Sequence, residues 1–113
     1  MNNTNDNKYV IITTQDKLLS TREDFLKVAE KLFVSHIDYV NINYNGNIFR
    51  FWFNDNYNNL SLDNNRDAYF LTRLPIRGPV LVTIPKTNDY GRVEEGKLGR
   101  EEILYLKRLL NKK

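Results

Sequence analysis

The sequence predicts a small single α+β domain with elements in the order β-α-β-β-α-β-α. The sheet is expected to be mostly antiparallel around a central hairpin, with helices packed on one face. Three observations carry this. Asn45-Gly46 lies between two alternating runs, Ile37–Tyr44 and Asn47–Asn54, and is the preferred pair for a tight type I′ turn. Phe25, Val28, Ala29, Leu32 and Phe33 recur at helical spacing, as do Ile103, Leu106 and Leu110, widened by Leu109. Two short runs, Tyr9–Thr13 and Val80–Ile84, are dense in β-branched residues. A length of 113 residues fits one domain, expected over residues 8–113 behind a polar, disordered tail at 1–7.

Taken in order, YVIIT at Tyr9–Thr13 reads as a buried strand and QDKLL after it as a loop. Ser20 and Glu23 have the spacing of a capping box, which places the first helix at Thr21–Phe33. The two-residue turn then fixes the hairpin register: Tyr44 opposite Asn47, Ile42 opposite Phe49, Val40 opposite Phe51. Ile42, Phe49, Val40 and Phe51 make an apolar face. The reverse face pairs Asn43 with Ile48, Asn41 with Arg50 and Tyr39 with Trp52, a mixed set expected to be partly wet or covered by a partner.

Asp55–Asn59 is rich in turn residues, and Leu60–Leu62 is a short extended piece. Asp63 or Asn64 caps a short helix, Asn65–Thr72, with Ala68 and either Leu71 or Phe70 inward. Leu74-Pro75 leaves that helix, because the residue before proline avoids the α region. Gly78-Pro79 opens the strand Val80–Ile84, and Pro85 is expected to end it. Thr87–Gly99 reads as a charged loop and Arg100–Asn111 as a final helix, with Glu101 and Glu102 at its positive end. The first six elements follow the order of a ferredoxin-like split βαβ unit.

Composition narrows the class of function. Seventeen basic and 14 acidic residues leave a formal charge of +3, where a dedicated duplex-DNA binder shows a stronger, clustered excess. No apolar run approaches the roughly 20 residues needed to cross a bilayer, so no membrane role is expected. The start, MNNTNDNKY, lacks the apolar segment of a secretory signal. Cysteine is absent, which excludes disulfides and thiolate metal sites and fits a reducing compartment. The expected location is the cytoplasm.

No G-x-S-x-G elbow, H-E-x-x-H helix or phosphate-binding loop is present, so no catalytic residues, metal or cofactor are expected. His36, the single histidine, is expected to cap a helix end or sit on the surface. Asp55, Asp63 and Asp67 form the weakest candidate, a carboxylate set for nucleotide hydrolysis. Aspartate beside asparagine in turns normally serves the backbone instead. Two clusters stand out for binding. Tyr39, Arg50 and Trp52 share the mixed hairpin face, where aromatics and a cation could stack single-stranded bases as an RNA-recognition module does, although the RNP1 pattern is lacking. The plainer reading packs Tyr39 and Trp52 under a helix or a partner subunit. Arg66, Arg73 and Arg77 fall in one short region with Tyr57 and Tyr69 nearby, and prolines 75 and 79 stiffen the chain there. Arginine forks take phosphate or carboxylate groups bidentately and stack on rings. The alternative is surface pairing with Asp63, Asp67, Glu94 or Glu95.

The run Pro75-Ile76-Arg77-Gly78-Pro79-Val80-Leu81-Val82 resembles a segment of the DUF3846 family, small proteins common in phages and mobile elements. The chain continues similarly through Asp89, Glu94 and Glu95 into the last helix, and upstream through Ile37–Ile42, Phe51–Asn56 and Asn65–Leu71. It departs from that pattern at Asn54-Asp55-Asn56 and at Tyr69. The resemblance transfers no catalytic residues. It implies an accessory protein of a virus or plasmid, acting in the host cytoplasm. The functional expectation is a non-enzymatic binding protein that occludes a host protein or sequesters a nucleotide-like small ligand, in counter-defence for instance. Single-stranded nucleic-acid binding is the alternative. Self-association through Tyr39, Ile48 and Trp52 into a homodimer is also expected.

Overall fold

The Asn45-Gly46 turn forms as the sequence demands, with positive φ at both residues (55° and 90°). It joins two seven-residue strands of a computed structural model that describes residues 7–33, 36–55 and 61–113. The elements are β1 (Tyr9–Ile12), β2 (Leu18–Thr21), α1 (Phe25–Leu32), β3 (Asp38–Tyr44), β4 (Asn47–Phe53), α2 (Arg66–Thr72), β5 (Val80–Thr87), β6 (Val93–Gly96) and α3 (Arg100–Leu110). The β3–β4 register is the expected one at every pair, from Asp38 opposite Phe53 to Tyr44 opposite Asn47. Strands run in the spatial order β2-β1-β5-β4-β3, and β6 pairs with the far half of β5.

The α+β class, the single sheet and its antiparallel character follow the sequence reading. Two strands exceed it. β2 pairs with β1 through a loop closed by Thr13 and Lys17, in which Asp16 takes the left-handed position (φ 61°). Glycine usually marks that position, so an aspartate there hid the hairpin. Ser20 therefore lies in a strand opposite Val10 and does not cap α1. Asp24 is the N-cap, without a side-chain cap bond, and Glu23 reaches Lys31 instead (2.8 Å). β6 occupies part of the expected Thr87–Gly99 loop. Val-Glu-Glu-Gly has a single strand-forming residue, and the ladder overrides its low propensity.

Pro85 does not end β5. The Asn88 N–H to Arg92 O bond closes the β5–β6 loop. Alternation from that bonded pair puts Pro85–Glu95 at a non-hydrogen-bonded position, where the missing N–H is not required. The ferredoxin-like arrangement does not form either. A βαβ unit joins parallel strands, and here every strand pairing among the described residues is antiparallel, with β5 between β1 and β4.

The helices do not share one face. α2 and α3 lie with Val10, Ile12, Phe49, Phe51, Phe53, Val80 and Val82 in one core, through Ala68, Leu71 and Leu106. α1 covers the other face, where Val28, Ala29 and Phe33 pack with Tyr9 and Leu81, flanked by Phe25, Leu32 and Trp52. The reason is in β1 and β5. YVII and VLV are apolar at successive positions, not alternate ones, and such strands must be covered on both sides.

α2 is capped by Asn65, not by Asp63 or Asn64. The Asn65 side chain is 1% exposed and serves three backbone groups. Its Oδ1 accepts from the Ala68 N–H (3.0 Å), and its Nδ2 donates to the Ile12 and Gly78 carbonyls (2.9 Å each). One residue thus ties the start of α2 to β1 and to the approach of β5. Gly78 itself has φ 82°, and a Cβ there would sit 3.2 Å from Leu62 Cδ1. The expected tail falls outside the described residues apart from Asn7, as do residues 56–60 of the Asp55–Asn59 loop and of the Leu60–Leu62 piece; Ser61 and Leu62 form a turn.

Asn65→Ala is expected to lower unfolding free energy by about 2–4 kcal/mol in urea melts, because it leaves buried carbonyls unpaired as well as removing the cap. A second expectation concerns Tyr44, whose hydroxyl donates to the Leu71 carbonyl. Burial, then the neighbouring Tyr105 phenol, pushes its pKa up to about 12 from 10.0, against the opposing pull of Arg73. The folded state therefore favours the neutral phenol. Its contribution to stability is full below pH 10 and is lost as pH rises through about 12. Melts across that window should fall more steeply for the wild type than for Tyr44→Phe.

Candidate functional site

The hairpin's reverse face is a built network. The Arg50 side chain is drawn flat across the sheet: its Nε donates to Asn41 Oδ1 (2.9 Å) and its Nη1 to Glu95 Oε2 (2.8 Å). Glu95 Oε1 accepts from the Thr83 hydroxyl (2.8 Å), and the same hydroxyl accepts from Trp52 Nε1 (3.0 Å). The guanidinium lies 4.0 Å from the centre of the Tyr39 ring. Trp52 is held between Phe25 of α1 (4.9 Å between ring centres) and Tyr39 (4.8 Å). Arg50 is only 9% exposed, Trp52 is half-buried and Tyr39 is 43% exposed. Asn41, Thr83 and Glu95 complete this network; the sequence reading sets Asn41 opposite Arg50 and offers Glu95 only as a surface partner of Arg66, Arg73 or Arg77, and it does not single out Thr83. Glu95 reaches it only because β6 pairs with β5, a pairing with no sequence signal of its own.

The arginine region divides. Arg66 and Arg73 line a groove of about 760 Å3 beside α2, together with Tyr69, Phe70, Pro75 and Lys113. Arg66 pairs with Asp16, and Lys113 pairs with the buried Asp67 and lies 3.7 Å from Asp16. Arg73 is the left-handed C-cap of α2 (φ 63°), exposed, with its guanidinium 5.3 Å from the Phe70 ring centre. Among the described residues no carboxylate lies within ion-pair distance of it. Arg77 is not part of the groove lining; its Nη1 donates to the Leu62 carbonyl (3.1 Å). Tyr57 lies outside the described residues. Lys113 and Asp16 come to the groove from the far end of the chain and from the β1–β2 loop, so sequence proximity could not reveal them.

The three aspartates have separate partners and positions. Asp55 is exposed, with Oδ1 3.6 Å from His36 Nδ1, and Asp67 is buried against Lys113. Asp63 is exposed and offers its backbone carbonyl to the Gly78 N–H (2.8 Å). Among the described residues no group of three or more His, Asp or Glu could hold a metal ion, and no helix is long and apolar enough to cross a membrane. No protein-family model, curated protein or solved structure matches this chain.

The Arg50–Glu95 pair predicts a strong coupling. Its side chains are 11% and 14% exposed. Removing one partner by Arg50→Met strands the other, at an expected cost of about 2–4 kcal/mol, somewhat under that of a fully buried pair. Arg50→Met combined with Glu95→Met should recover a good part of that loss, as read in a double-mutant cycle of denaturant melts.

Proposed function

We propose that the protein is a non-enzymatic binding protein whose ligand is a small anion bearing a planar ring, of the nucleotide class, held in the groove beside α2. The observation that carries this reading is Arg73. It is a cation without a carboxylate partner among the described residues, set on a Phe70 ring at the edge of a groove that also holds Tyr69, Arg66 and Lys113. Guanidinium groups take phosphate oxygens in a fork, and tyrosine and phenylalanine faces take flat rings. The left-handed backbone at Arg73 aims its side chain from a fixed point, between a helix end and Pro75. Sequestration of a small ligand fits this groove better than occlusion of a host protein. The setting implied by the family resemblance belongs to the same proposal: an accessory protein of a virus or mobile element acting in the host cytoplasm.

The hairpin face supports single-stranded nucleic-acid binding less well, because the Arg50 fork is engaged by Asn41 and Glu95, and Trp52 is stacked between two rings. The test is a titration with ATP, AMP and inorganic phosphate, read as thermal or urea stability. A ligand at a hundredfold excess over its Kd should stabilise the fold by about 2.7 kcal/mol. Arg73→Gly suits the left-handed backbone and should weaken nucleotide binding about tenfold or more, while Arg77→Ala should leave it unchanged. Absence of stabilisation by all three probes would overturn the reading. So would a gel shift with single-stranded RNA or DNA that depends on Tyr39 and not on Arg73.

A further inference from the structure

From the edge of the sheet we infer that the protein pairs with a second copy of itself through β3, in antiparallel register centred on Asn41. β3 is the outermost strand beside β4. Edge strands in soluble proteins are normally blunted by shortness, lysine, proline, a bulge or a covering element. β3 has none of the first four: it is seven residues long, contains no lysine, arginine or proline, and keeps an unbroken one-to-one register with β4. Its one charge, Asp38, stands at its first position. Among the described residues no strand pairs with its outer side. The opposite edge, β2, has four residues.

The register follows from the turn. Tyr44 and Asn47 close a two-residue loop, so they are a hydrogen-bonded pair, and bonding alternates from there. The backbone groups of Asn43, Asn41 and Tyr39 therefore point away from β4. In the single chain the Asp38 carboxylate accepts from the Tyr39 N–H (2.7 Å) and would turn aside on pairing. A two-fold partner centred on Asn41 sets Asn41 against its own copy and Tyr39 against Asn43 of the second chain. This register pairs all three outward-facing residues at once, each pair exchanging two N–H···O bonds. It also sets Val40 against Ile42 of the copy, on the face where both already pack half-buried at the margin of the core. A shift by two residues leaves one of the three unmatched, and a shift by one aims bonded groups the wrong way. The edge thus matches itself in bonding and in side chains, which an isologous interface requires.

The chain lacks cysteine, so a single introduced thiol reports the geometry cleanly. In the proposed dimer the two Asn41 Cα atoms lie about 5.5 Å apart, inside the range of about 4.4–6.8 Å that a disulfide spans. The two Asn43 Cα atoms lie roughly 14 Å apart along the strand. Mild oxidation should convert Asn41→Cys to a covalent dimer and leave Asn43→Cys monomeric on a non-reducing gel. Sedimentation of the wild type should show a monomer–dimer equilibrium, which Asn41→Pro weakens at least tenfold. That proline removes an outward N–H and, with the asparagine side chain, the bond that Arg50 Nε donates to Asn41. A wild type that stays monomeric at all concentrations overturns the inference, as does cross-linking of Asn43→Cys as fast as Asn41→Cys. Both outcomes are read without the proline variant, whose folding is then immaterial.

Discussion

The rest of the molecule is arranged around one constraint: both faces of β5 must be kept from water. Val80, Leu81, Val82 and Thr83 have no exposed surface. The strand is paired on both sides, to β1 and to β4. A strand of this kind cannot stand at the wet face of a two-layer domain, so the chain supplies helices on each side. α2 and α3 cover the side of Val80 and Val82, and α1 covers the side of Leu81. Asn65 then couples α2 to this centre, joining the helix start to the carbonyls of Ile12 and Gly78.

That constraint decides what the hairpin can do. α1 reaches Trp52 through Phe25, and Thr83 on β5 receives the indole N–H. The reverse face of the hairpin thereby becomes part of the fold. Its arginine is neutralised by Glu95 and held by Asn41, so its hydrogen-bonding capacity is directed inward. A cation locked in this way gives register and shape, and its net effect on stability is smaller than the cost of breaking it. The groove beside α2 is different. Two of its cations are balanced by Asp16 and Asp67, while Arg73 stacks on the Phe70 ring with no carboxylate within ion-pair distance among the described residues. On the proposed reading, contact chemistry lies at the rim of the second helix and not on the sheet.

The hairpin was legible because its signal is local: Asn-Gly needs two left-handed residues, and alternation does the rest. The inward stripes of α1 and α3 were legible for the same reason, since periodicity is read within one turn or two. What escaped depends on distant partners. β2 and β6 are strands because β1 and β5 offer ladders, and neither LLST nor VEEG has the composition of a strand by itself. The Ser20-x-x-Glu23 pattern matched a capping box, yet pairing with Val10 took Ser20 into the sheet. Arg66 and Arg73, close in sequence, line the same groove. Arg77, only four residues on, reaches the Leu62 carbonyl, because the chain bends at Leu74 and then bridges Asn64 at Arg77.

The central claim is that the hairpin face serves the fold and the groove beside α2 serves recognition. Amide chemical-shift mapping by NMR during titration with a nucleoside phosphate tests it most directly. The account predicts shifts concentrated at Arg66, Tyr69, Phe70, Arg73 and Lys113, with the signals of Tyr39, Arg50 and the Trp52 indole N–H unmoved. Shifts centred on Tyr39, Arg50 and Trp52, with the groove silent, would contradict it.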